Sequence, residues 1–77
     1  MPDHASDDLL GNLARNVRSS RLRLGWTIEE LAERADLDVL TLERIERGEG
    51  WRLTMLGLEA LARVLDMPAG VLLSASD

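Results

Sequence analysis

Between Trp26 and Gly50 the sequence holds two short amphipathic segments separated by only Asp36-Leu37-Asp38. That spacing leaves few ways for them to lie against each other. The first segment opens with Thr27-Ile28-Glu29-Glu30, a capping box. In it the Thr27 hydroxyl accepts from an amide one turn into the helix, and the Glu30 carboxylate accepts from the Thr27 amide. Trp26 is placed as a hydrophobic staple against Leu31. Ile28, Leu31, Ala32 and Ala35 then recur at helical spacing. The second segment has Asp38 as its expected N-cap and runs from Val39 to Arg47, with Leu42 and Ile45 as a narrow apolar stripe before Gly48. Helices this short do not persist alone in water. Two of them on so short a joint must therefore share a core with the rest of the chain.

The flanking sequence supplies that core. Met1 to Ser6 reads as a polar, disordered, acidic leader, and residues 7–77 as one domain. Ser6 or Asp7 is the expected cap of a first helix, in which Leu10, Leu13, Val17 and Ser20 share a face and which Gly25 closes. Thr54 is the expected cap of a helix from Met55 to Leu65, with Leu58, Leu61, Ala62 and Leu65 inward. Gly57 weakens its first turn by about 1 kcal/mol relative to alanine. Pro68 fits the first turn of a last short helix, Ala69 to Leu73. No stretch alternates as a strand would, and no segment repeats. The expected fold is all-α, a compact five-helix bundle. With no Cys, Phe or Tyr, its core must be aliphatic, with Trp26 and Trp51 as the only rings. A domain of this size buries only roughly 60% of its unfolded surface, so added stability from a second copy is expected.

Composition narrows the function. The net charge is −5, but Asp3, Asp7 and Asp8 lie near the N-terminus, and without them it is −2. All nine basic residues are arginine, whose planar fork suits phosphate and guanine. The lone histidine, His4, and the absence of cysteine leave no material for a metal site. No nucleophile–base pair and no glycine-rich phosphate loop is present, so no enzymatic activity, cofactor or small-molecule ligand is expected. No apolar run approaches the roughly 20 residues that span a bilayer, and the acidic leader lacks a signal-peptide layout. A soluble, cytoplasmic protein is expected.

The run Trp26 to Gly48, and within it Thr27, Glu29-Glu30-Leu31-Ala32 and Ile45-Glu46-Arg47-Gly48, resembles the Xre-type, lambda-repressor-like (Cro-like) helix-turn-helix family. The similarity covers Leu10 to Leu73, with the helix-turn-helix proper at about 27–48. A narrower similarity, in chain length and the Leu37-Asp38 turn, is to the controller proteins of restriction–modification systems. The resemblance implies a homodimer on double-stranded DNA at a palindromic operator, with the third helix in the major groove. By position, Val39, Leu40, Thr41, Glu43 and Arg44 would reach base edges, Arg44 as a bidentate guanine contact. Thr27, Arg47 and Arg52 would hold phosphates, and Arg21 and Glu46 would pair to tie helix one to helix three. Trp51, Met55, Leu56, Met67 and Leu72 would form the dimer face. Three departures stand out. Ile28 replaces the usual glutamine, Asp36 replaces the turn glycine, and Asp38-Val39-Leu40 makes the leading edge acidic and apolar. An exposed Ile28-Val39-Leu40 patch would instead suit a protein partner, which makes an interaction module without DNA binding the alternative.

Overall fold

The computed structural model describes residues 8–75. Along this stretch run α1 (Leu9–Arg23), α2 (Ile28–Ala35), α3 (Val39–Glu46), α4 (Met55–Val64) and α5 (Ala69–Leu72), with no strand among the described residues. The all-α, five-helix expectation is met. The leader, and Ser6 or Asp7 as first N-cap, fall outside the described residues. Within them Asp8 does the capping: its Oδ1 accepts from the Gly11 amide at 3.0 Å.

Helix starts follow side-chain chemistry at three of the four longer helices. Thr27 closes both arms of its capping box, accepting from the Glu30 amide at 3.0 Å while the Thr27 amide donates to Glu30 Oε1 at 2.8 Å. Thr54 accepts from the Gly57 amide at 3.0 Å. Asp38 departs from expectation. It occupies the N-cap of α3 with extended backbone angles, but its carboxylate makes no capping bond. Pro68 likewise stands just outside α5, at its N-cap.

Helix ends share one device. Each of the four longer helices is closed by a residue in the left-handed region: Gly25, Asp36, Gly48 and Asp66, with φ of 76°, 58°, 82° and 59°. The amide that follows each then bonds back across the last turn. Trp26 donates to Arg21 O, Leu37 to Ala32 O, Glu49 to Arg44 O and Met67 to Ala62 O, at 2.8–3.1 Å. This is the Schellman arrangement. Aspartate is among the few non-glycine residues that adopt this conformation at tolerable cost, so Asp36 turns the chain where the family more often has glycine.

The core is aliphatic, as the composition requires. Leu13 and Val17 of α1, Leu31 and Ala32 of α2, Leu42 and Ile45 of α3, Leu61 of α4 and Leu72 of α5 are all buried. Leu58 is only half-buried and packs on the rim of this cluster. Gly57 has a packing reason to be glycine: a Cβ there would stand 2.7 Å from Leu53 Cδ1 and 3.6 Å from Leu37 Cδ2.

Two asparagines close the bundle across most of the chain. The buried Asn12 donates through Nδ2 to Leu73 O at 3.1 Å and accepts from Arg15 Nη2 at 2.8 Å. Asn16 Nδ2 donates to the carbonyls of Val71, Leu72 and Ser74 at 3.2, 2.8 and 2.9 Å. Val71 O also accepts from the Ser74 amide at 3.1 Å, and α1 supplies the side-chain donors for the other carbonyls at the end of α5. Asn16→Ala is expected to cost about 1–2 kcal/mol and to lower the thermal midpoint by about 4–8 °C per kcal/mol. Thermal unfolding followed by circular dichroism reads both.

Candidate nucleic-acid interface

The site begins with the joint that fixes α3. Arg21, near the end of α1, forms a two-armed bond to Glu46 at the end of α3: Nε to Oε2 at 2.7 Å and Nη2 to Oε1 at 2.9 Å. Its remaining nitrogen, Nη1, donates to Trp26 O at 3.0 Å, in the turn before α2. The two side chains are only 13% and 8% exposed. The Glu46 hydrogen bond raises the Arg21 pKa above its ordinary value, outweighing the opposing effect of burial, with the charges of Glu46 and Glu29 adding to the rise. The pair expected from the resemblance is therefore formed, and it sets the direction of α3 relative to α1 and α2.

On the helix so held, Arg44 and Leu40 are exposed, while Thr41, Glu43 and Val39 are half-buried. Val39 and Ile28 both pack against the core, so the expected exposed patch of Ile28, Val39 and Leu40 reduces to Leu40. Thr27 is exposed at the start of α2. Its oxygen accepts the capping bond, which leaves the hydroxyl hydrogen uncommitted. Arg34 lies over the Trp26 ring, 4.4 Å from its centroid, a contact that stacks the end of α2 on the α1–α2 turn.

Beside α3 an open groove of about 550 Å³ is bordered by Thr41, Arg44, Glu49, Trp51 and Arg52. Arg47 is paired to Glu49 at 3.7 Å, both well exposed, so Glu49 is partly neutralised from outside the groove. Arg44 and Arg52 are then the groove's uncommitted positive charges among the described residues, Arg52 stacking on Trp51 with its Cζ 5.4 Å from the ring centroid. The opposite end of α3 is acidic, with Asp36 and Asp38 both exposed.

The expected dimer face divides. Trp51, Met55 and Leu56 are exposed, but Met67 is half-buried against the core. Leu72 has 0% exposure and is a core residue, unable to meet a partner. In α5 it is Val71 that faces out. Sequence reading missed Asn12 and Asn16; polar residues in register with Leu13 and Val17 on α1 were the available signal.

A three-helix core with α2 and α3 joined through a left-handed turn is the helix-turn-helix architecture, and the chain belongs to that family: the helix-turn-helix domain family model matches residues 12–75. It is 36% identical over 73 residues to a hypothetical transcription factor of Neisseria meningitidis serogroup B, covering 95% of this chain and 66% of the relative, just under two thirds of its length. The crystal structure of the hypothetical transcription factor NHTF from Neisseria superposes with a TM-score of 0.81 at 32% identity, over 97% of this chain and 87% of that one. A variant of the restriction–modification controller protein C.Esp1396I superposes with a TM-score of 0.71 at 29% identity, over 94% and 85%. The Xre-type resemblance, and the narrower one to controller proteins, are both borne out.

Glu46→Ala leaves the Arg21 guanidinium largely buried without its partner. It is expected to cost about 3 kcal/mol of stability, measured by denaturant unfolding, with Glu46→Gln costing less because one acceptor remains.

Proposed function

We propose that the protein is a sequence-specific DNA-binding regulator that acts as a homodimer on a palindromic operator, with α3 in the major groove. One observation carries most of the reading. Arg44 is exposed and uncommitted on a helix whose direction is locked by the Arg21–Glu46 fork. Membership of the helix-turn-helix family and similarity to proteins described as transcription factors support it. In this reading Arg44 meets guanine in bidentate fashion, and Leu40 and the methyl of Thr41 meet thymine methyls. Val39 and Glu43 line the base-facing edge from half-buried positions. Thr27, Arg47 and Arg52 hold phosphates, so log affinity falls with log salt by about 0.9 per phosphate neutralised. Met55 and Leu56 form the face toward the second copy, which would place two α3 helices about 34 Å apart on one side of the duplex. No catalytic step, cofactor or metal is assigned.

A second reading has its own observation. The start of α3 carries exposed Asp36 and Asp38, and Ile28 cannot donate to a phosphate. An acidic leading edge with Leu40 beside it would suit a basic protein surface. Selection from random duplex DNA by the purified chain separates the two: enrichment of a two-fold symmetric site supports the regulator, and no enrichment supports the interaction module.

Two variants sharpen the first reading. Arg44→Ala should weaken binding to the selected site by about 1–3 kcal/mol and binding to random duplex much less. Equal losses on both would remove its base-reading role. Met55→Glu should shift sedimentation equilibrium toward monomer; an unchanged dimer would exclude that face.

A further inference from the structure

We infer that Trp51 is a positioning residue of the DNA-binding surface, holding the Arg52 guanidinium against its ring so that Arg52 is presented to a backbone phosphate beside Arg44. The inference rests on the DNA reading above. Trp51 and Arg52 are the two central residues of a tight turn closed by the Leu53 amide donating to Gly50 O at 2.9 Å. Both ends of that turn are anchored. Gly50 is buried, and a Cβ there would stand 3.3 Å from Ile45 Cγ1, while Leu53 packs against the core. One residue further back, the Glu49 amide donates to Arg44 O at 2.8 Å, which ties the loop to the end of α3.

On this fixed backbone Trp51 is not drawn into the core. It stays 67% exposed, and Arg52 lies over its ring. A large ring left in solvent beside a long, flexible cation restricts that cation without consuming any of its hydrogen-bond donors. An arginine already confined loses less freedom on meeting a phosphate than one free in solvent. The neighbouring charges agree with this role. Arg47 is engaged by Glu49, whereas Arg52 has no carboxylate partner among the described residues and keeps its full donor set for a ligand. Trp51 also borders the apolar groove formed with Leu9, Leu10, Met55 and Leu58. A dimer-anchor role is therefore the competing account of the same side chain, and the experiment must distinguish the two.

A double-mutant cycle on a mixed-sequence DNA duplex does so, using Trp51→Leu, Arg52→Gln and the double variant, with sedimentation of each. Trp51→Leu should weaken binding about two- to fivefold, the size of an exposed cation–π contact. Trp51→Phe should restore most of the loss. Arg52→Gln should reduce the salt slope by about 0.9. In the Arg52→Gln background Trp51→Leu should cost nothing further. Additive losses, or a loss accompanied by dissociation to monomer, would overturn the positioning role and leave the DNA reading standing. A wild-type chain that binds no duplex at low salt would overturn both.

Discussion

The Arg21 side chain links three parts of the chain at once: the end of α1, the turn before α2 and the end of α3. A largely buried ion pair adds little net stability over an apolar pair of similar volume. Its value here is geometric. A planar fork facing a carboxylate through two bonds permits one approach direction, and the third nitrogen on Trp26 O fixes the fork itself. α3 contributes only Leu42 and Ile45 as buried residues, too narrow a stripe to define its rotation by packing alone. The fork supplies what the stripe lacks. The hydrogen bond to Glu46 raises the Arg21 pKa further above an ordinary value at which a guanidinium is already charged, so both arms of the fork remain donors.

The helices so oriented are short because each is stopped by a left-handed residue and a returning amide. With eight residues in each of α2 and α3, the elements gain little from their own propensity. They depend on caps and on the shared aliphatic core. Removing a terminator would lengthen a helix and rotate whatever follows it, so Asp36 and Gly48 set where α3 begins and ends.

Much of this was legible in the sequence, and the reason is locality. The capping box, the Thr54 cap, the glycine stops and the tight α2–α3 joint are encoded within four or five residues, where side-chain and backbone chemistry decide the outcome. Local reasoning failed where partners lie far apart. Asn12 and Leu73 are 61 residues apart, and only the folded bundle brings them together. The same distance problem explains Leu72. In a four-residue helix no periodicity distinguishes an inward from an outward face, so α5 presents Val71 and buries Leu72 for reasons that belong to α1 and α4. Asp38 failed differently: good cap chemistry was present, but the backbone reached the N-cap position without using it. The pair Arg21–Glu46 was legible only through family resemblance, since nothing local connects residues 25 apart.

The charge distribution along α3 bears on how such a domain would meet DNA. Helix N-termini attract anions, and in this architecture that end approaches the duplex. Here exposed Asp36 and Asp38 oppose the attraction, while Arg44, Arg47 and Arg52 gather at the other end and in the loop that follows. On the DNA reading proposed above, the balance of contact would move from the start of the helix to its end and to the Gly50–Leu53 turn. A carboxylate at the leading edge also penalises a close phosphate on any sequence, so non-specific binding weakens more than binding at a site where a base-edge amine can donate to it. Low overall affinity with retained discrimination is the behaviour this distribution favours. On the same reading a net charge of −5 is compatible with a polyanionic partner, since the acidic groups would suppress indiscriminate binding while the arginines beside α3 would supply the attraction.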